Sequence, residues 1–216
     1  MRELYIYHHM GLGDHLICHG IIRHYANEYD VVHNFVKPHN FKSVSFMYRD
    51  LKNVDLIEGY DQDAEKYTKN VLKIGFDNLF YGGNTFDKGF YEQIGLPFEN
   101  RWELFKIERD IKKEKTIYNE YNITGNYNFV HDDSRFPIPL QYKNNSVSPR
   151  IGLTENIFDY LTLIEKADEI HCIESSFLFM IDSVIKGKKV FVHRSSRWNP
   201  SNEIPHYSNK NEYIIL

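Results

Sequence analysis

Over residues 3–60 the chain alternates short apolar runs with stretches whose apolar positions recur every three to four residues. "ELYIYHH" (3–9) reads as a buried strand, and "DHLICHGIIRHYANEY" (14–29), apolar at 16, 17, 21, 22 and 25, reads as one amphipathic helix. "DVVHNFVKP" (30–38) predicts a second strand, "HNFKSVSFMYRDL" (39–51) a helix and "VDLIEGY" (54–60) a third strand. Strand, helix, strand repetition of this kind predicts a parallel sheet with helices on its faces.

The pattern then loosens. "DAEKYTKNVLKIGF" (63–76) has helical character, "YGGNTFDKG" (81–89) reads as a loop, and "FYEQIGLPFENRW" (90–102) as a short helix ended by Gly95 and Pro97. The charge-rich "IERDIKKEKTIYNEYNITGN" (107–126) predicts a solvated helix and a connection. Beyond it the rhythm restarts: strands at 127–134, 168–176, 188–195 and 212–216, a possible strand and turn at 148–156, and helices at 157–167 and 176–187. The expectation is an α/β protein of two small Rossmann-like lobes facing a cleft. Residues 1–106 form the N-terminal lobe, 107–126 the connection and 127–216 the C-terminal lobe. "SRWNPSNEIPHY" (196–207) either borders a ligand or joins the last strands.

Composition narrows the partners. With 216 residues, 42% of them hydrophobic, the chain can bury a core in each lobe, and a formal charge of −4 argues against nucleic acid or an anionic membrane as partner. Fifteen Phe and sixteen Tyr serve packing or stacking. Two cysteines, Cys18 and Cys172, are too few for a disulfide framework or a cysteine zinc site and suit a reducing compartment. Neither a signal-peptide pattern nor an apolar run of spanning length is present, so the expected setting is soluble and cytoplasmic.

Three stretches carry candidate chemistry. In the first, Gly11-Leu12-Gly13-Asp14-His15 joins the first strand to its helix, where glycines let a ligand approach the backbone. A dinucleotide fingerprint would need glycine at Leu16 and an acid after the second strand, where Val36 and Lys37 stand instead. Asp14 and His15 are alternative general bases, although Asp14 suits a plain helix cap equally well. His15 and His19 have metal-ligand spacing without an HExxH motif; with His8, His9 and His24 nearby they also fit packing or surface roles.

"FVHDDSRF" (129–136) is the second. It places His131, Ser134 and Arg135 after a strand, where Arg135 can grip a diphosphate bidentately or simply pair with a neighbouring Asp. In the third, Glu174-Ser175-Ser176 stands where a strand meets a helix: the serines can meet a phosphate and Glu174 a ribose hydroxyl, or a serine merely caps the helix.

Together "HMGLGDHLICHGIIRHYA" and "IFDYLTLIEKADEIHCIESSFLFMIDSVIKGKKVFV" resemble the GT-B glycosyltransferases, in their heptosyltransferase-like and fucosyltransferase-like branches. The resemblance implies two Rossmann-like lobes, acceptor side first and nucleotide-sugar side second. Its reaction is sugar transfer from a nucleotide-diphosphate donor to a hydroxyl acceptor such as a glycan, with inversion and with no bound metal or resident cofactor. It implies Asp14 or His15 as base, with Arg135, Ser175 and Ser176 facing the diphosphate. Departures are Glu174 in place of the family's more familiar Asp, and Phe179 and Met180 where a histidine often follows. Two other classes stay open: a catalytically silent nucleotide- or glycan-binding module, and a His-ligated metal hydrolase.

Overall fold

A computed structural model of the chain describes residues 1–67, 69–76, 85–194 and 205–216. Residues 1–108 with 203–206 form one unit, and 109–202 with 207–216 a second.

The first unit opens with β1 (Glu3–Tyr7), α1 (Leu12–Ile17), α2 (His19–Ala26), β2 (Val31–Val36), α3 (Phe41–Tyr48) and β3 (Val54–Glu58). It continues with α4 (Asp61–Ala64), β4 (Val71–Lys73), α5 (Phe86–Gln93) and α6 (Asn100–Glu103). All pairings are parallel, in the order β3-β2-β1-β4. The chain moves outward from β1 to β3 and then returns to the other side of β1. Such a reversal, here between β1 and β4, is where open α/β sheets take ligands at their carboxyl ends. Tyr7, Met10, Phe35 and Ala64 form a buried cluster beneath it.

Two expectations change here. Cys18 (φ −77, ψ 0) interrupts the helix read over 14–29, so His15 and His19 belong to separate helices. The stretch read as helical over 63–76 instead yields a four-residue helix and a strand, because Val71–Lys73 finds the open edge of β1, in register with Tyr5–Tyr7. Asn70, at φ +54, makes the turn between them. In the stretch read as a loop over 81–89, helix α5 starts at Phe86, and residues 81–84 lie outside the described residues.

In the second unit follow α7 (Ile111–Asn119), β5 (Asn128–His131), β6 (Ser146–Val147), α8 (Leu161–Glu165) and β7 (Ile170–Ile173). The last elements are α9 (Ser176–Val184), β8 (Lys189–His193) and β9 (Glu212–Ile215). This sheet is also wholly parallel, in the order β6-β5-β7-β8-β9, and its reversal falls between β5 and β7. Strand β7 is buried at every position, as expected for the middle of a sheet covered on both faces. The charged stretch 107–126 contributes α7. Its Glu114, 1% exposed, accepts from Thr162 at 2.8 Å and from Arg109 Nε at 2.9 Å, tying the helix to α8.

The fold is thus α/β: two parallel sheets, each flanked by helices. Among the described residues no helix is long and apolar enough to cross a membrane.

Candidate active site

At the carboxyl end of β1 the backbone turns sharply. Met10 is fully buried and left-handed (φ +49), a conformation costing a non-glycine residue about 1 kcal/mol or more. Its carbonyl is held by Asn40 Nδ2 at 3.0 Å and its amide faces His8 Nδ1 at 3.3 Å, so packing on both sides over-determines the turn. Gly11 follows as the residue before α1. A Cβ there would lie 2.6 Å from Asp14 Oδ2, which is why the position suits glycine.

Asp14 and His15, adjacent in sequence, part company in space. Asp14 is partly buried; burial raises its pKa, opposed by His9, by the Gly11 amide and its own, and by Lys37. A carboxylate made more basic by burial has the character of a general base. His15 is fully buried, its ring 4.4 Å from that of His8 and its Nδ1 3.5 Å from Asn34 Nδ2, and burial pushes its pKa well below the ordinary range. In this position it is a neutral core imidazole. Gly13 lies inside α1.

Nor do His15 and His19 converge. His19 stacks on Tyr48 and takes the Arg23 Nε at 3.3 Å. Among the described residues no group of three or more His, Cys, Asp or Glu is placed to hold a metal ion.

In the second unit the predicted residues gather at the β5/β7 reversal. His131 ends β5, and its Nδ1 lies 3.0 Å from the Ser175 hydroxyl just past β7. Ser175 occupies the cap position of α9 without capping it, since its side chain is turned to His131. The first turn of α9, beginning at Ser176, is therefore left to other acceptors. Stacking on Phe177 at 4.3 Å fixes the His131 ring, and burial lowers its pKa to about 4, so it is neutral near pH 7.

Glu174 is 4% exposed, and among the described residues neither carboxylate oxygen has a hydrogen-bond partner; Arg194 Nε stands 3.8 Å from Oε1. Burial raises the Glu174 pKa against the pull of Arg194. A buried, unsatisfied carboxyl at a sheet reversal is costly as a structural element and points to a ligand.

Arg135 is placed differently from the phosphate-gripping role. It is bound to Asp133 through Nε at 2.9 Å and Nη2 at 2.6 Å, an exposed local pair of neighbours in sequence, and Ser134 beside it is exposed. Asp132 organises the same loop by accepting the Ile138 amide at 3.0 Å and the Lys143 ammonium.

Next to this reversal lies a cavity of about 440 Å³ whose walls include Pro137, Pro139, Tyr142, Ile173, His193 and Arg194. Its size and mixed lining match sites for small organic ligands. Tyr142, His193 and Arg194 escape sequence reasoning. The one available signal is that "VHR" ends the strand beside the reversal, the edge where open α/β sheets bind ligands. Of the stretch 196–207, residues 196–204 lie outside the described residues.

Each unit is therefore a parallel α/β sheet with polar side chains at its carboxyl edge, and in the second unit a ligand-sized cavity lies there. No family model and no curated protein matches the sequence. In fold, the chain is similar to the crystal structure of the glycosyl transferase family 9 protein from Veillonella parvula DSM 2008, with a TM-score of 0.56 at 8% identity, over 100% of this chain and 85% of that one. The likeness is one of fold: two parallel sheets flanked by helices, aligned over the whole of this chain.

Proposed function

We propose that the protein is a glycosyltransferase that moves a sugar from a nucleotide-diphosphate donor to a hydroxyl acceptor, with inversion and without a metal. The observation that carries this reading is the buried Glu174 at the β5/β7 reversal, whose carboxylate takes no hydrogen bond among the described residues, beside an uncapped helix start and a cavity of about 440 Å³. The fold similarity supports it.

In this reading the nucleoside sits in the cavity, Glu174 accepts from sugar hydroxyls, and the diphosphate meets the first-turn amides of α9, the Ser175 and Ser176 hydroxyls and Arg194. Asp14 takes the acceptor proton as the acceptor oxygen forms its bond to the anomeric carbon. The anomeric bond to the diphosphate breaks on the opposite face, and the departing oxygen leaves with the electron pair. Amides and hydroxyls aimed at that oxygen stabilise its growing charge. His15, enclosed in the core, is not the base in this scheme, and Arg135 reaches phosphate only by leaving Asp133.

A panel of nucleoside diphosphates and their sugars in thermal-shift assays, followed by transfer assays with each stabiliser, tests the reading. Stabilisation with turnover that Asp14→Asn abolishes supports it; no stabilisation by any member overturns it. The Asp133 hold on Arg135 favours one second reading, a module that binds the nucleotide without turnover. Stabilisation without sugar transfer or hydrolysis would select it.

A further inference from the structure

His193 in the cavity wall ends a hydrogen-bonded chain that the reaction scheme does not use. His171 on β7 is 1% exposed; its Nε2 lies 3.4 Å from Glu169 Oε2 and its Nδ1 3.0 Å from His193 Nε2. The two imidazoles are diagonal neighbours on one sheet face, since His171 is in register with Phe191 and His193 with Ile173. Stacking locks the His171 ring on Phe191 at 4.5 Å and 4°, while Tyr142 meets the edge of His193 at 4.9 Å. These rings have little freedom to rotate and exchange their nitrogens.

Their proton positions follow from donor and acceptor counting. A carboxylate only accepts, so His171 carries its proton on Nε2 and leaves Nδ1 bare. Bare Nδ1 must accept, so His193 carries its proton on Nε2 and donates it. Burial lowers the pKa of His171, and that of His193 to about 4, so both rings are neutral near pH 7. With Nε2 engaged, Nδ1 is the nitrogen His193 has left for a ligand, and it offers a lone pair.

We infer that His193, oriented by Glu169 through His171, is a specificity-determining residue that reads the cavity's ligand as a hydrogen-bond acceptor. The cavity thus prefers a planar base bearing an exocyclic amine over the same base with a carbonyl at that position. Pro137, Pro139 and Ile173 supply flat apolar surface for such a ring. This assignment rests on the nucleotide reading above. A carbonyl placed against bare Nδ1 sets two lone pairs together and leaves both unsatisfied, the situation in which sites built for hydrogen bonding discriminate most strongly.

The test is calorimetry on the full chain with two matched pairs, adenosine against inosine diphosphate and cytidine against uridine diphosphate, at pH 7.5. The amine member of at least one pair is expected to bind about tenfold more tightly. Glu169→Ala, at a side chain 43% exposed, frees the tautomers and should shrink that ratio severalfold, and His193→Phe should bring it near unity. Long-range proton–nitrogen spectra of the histidine side chains should show His193 protonated on Nε2 in the wild type and mixed in Glu169→Ala. Equal affinities within both pairs, or His193 protonated on Nδ1, overturn the assignment alone. Failure of all four nucleotides to bind overturns the nucleotide reading and this assignment with it.

Discussion

The Ser175 hydroxyl is hydrogen-bonded to His131 Nδ1, 3.0 Å away, across the reversal between β5 and β7. A serine at this position would ordinarily bond the amides of its own helix. Here the neighbouring strand takes that hydroxyl and fixes its orientation. When His131 carries its proton on Nδ1, it donates to Ser175 Oγ and leaves the serine O–H free for a phosphate oxygen. Ser175→Ala should weaken nucleoside-diphosphate affinity severalfold, about 1 kcal/mol for one such bond, and leave the thermal midpoint nearly unchanged. Calorimetry beside a melting curve separates the two effects.

Asp14 sits where burial raises its pKa. A base must be ionised, so the acid limb of kcat/KM should fall above the ordinary aspartate range, with activity lost as pH drops through it. Asp14→Asn should lower kcat by 10²-fold or more while nucleoside-diphosphate affinity stays within about twofold. His15→Gln, a change in the core, should show its effect in stability instead. A pH–rate profile and binding isotherms for both variants decide this.

Gly11 leaves room for the Asp14 side chain, whose Oδ2 lies 2.6 Å from where a Cβ would stand. Since φ there is −69, alanine is tolerated by the backbone and the cost falls on the Asp14 side chain. Gly11→Ala should therefore reduce turnover about tenfold or more, in keeping with the sensitivity of catalysis to small misplacements, with a melting shift of a few degrees at most.

Within the first unit, Arg101 and Asp87 form a buried ion pair at 2.5 Å, at 1% and 0% exposure. The pair also holds the returning chain: the His206 amide donates to Asp87 Oδ2 at 2.9 Å, and Arg101 Nη1 donates to the His206 carbonyl at 3.0 Å. Removing one partner strands the other charge, so Arg101→Met and Asp87→Leu should each cost roughly 3–5 kcal/mol, and the double variant less than their sum. Denaturant unfolding of the two single variants and the double variant measures the coupling.

Buried imidazoles set the acid side of stability. His8 is fully buried and its pKa is lowered to about 3, against about 6.5 for an unfolded histidine. The unfolded chain therefore binds the extra proton first. The contribution of His8 is complete above about pH 6.5 and is lost as pH falls from there toward 3, by about 1.4 kcal/mol per pH unit for this one group. Unfolding free energies measured between pH 7.5 and 5 should fall with pH, and His8→Phe should flatten the slope by that amount.

Local pattern carried most of the fold. β1, β2, β3, β5, β7, β8 and β9 are legible because apolar run length and helical periodicity are properties of contiguous residues, whereas the possible strand read over 148–156 is turn and loop and the two-residue β6 lies just before it. Val71–Lys73 escaped because three residues have too little pattern of their own; pairing with Tyr5–Tyr7 makes them a strand. The break at Cys18 is equally invisible to periodicity, which continues across it.

The site divides along the same line. That a glycine and Asp14 would follow the first strand, and Ser175 and Ser176 the strand before α9, belongs to the order of residues. Which way each side chain faces does not. Asp14 stays partly exposed and His15 enters the core because one helical residue turns about 100° from the next, and the sheet lies on one side only. Arg135 goes to Asp133 because an exposed guanidinium takes the nearest carboxylate. The cavity walls come from residues 136–142, Ile173 and His193–Arg194, separate in sequence and joined only where parallel strands end at one edge of a sheet.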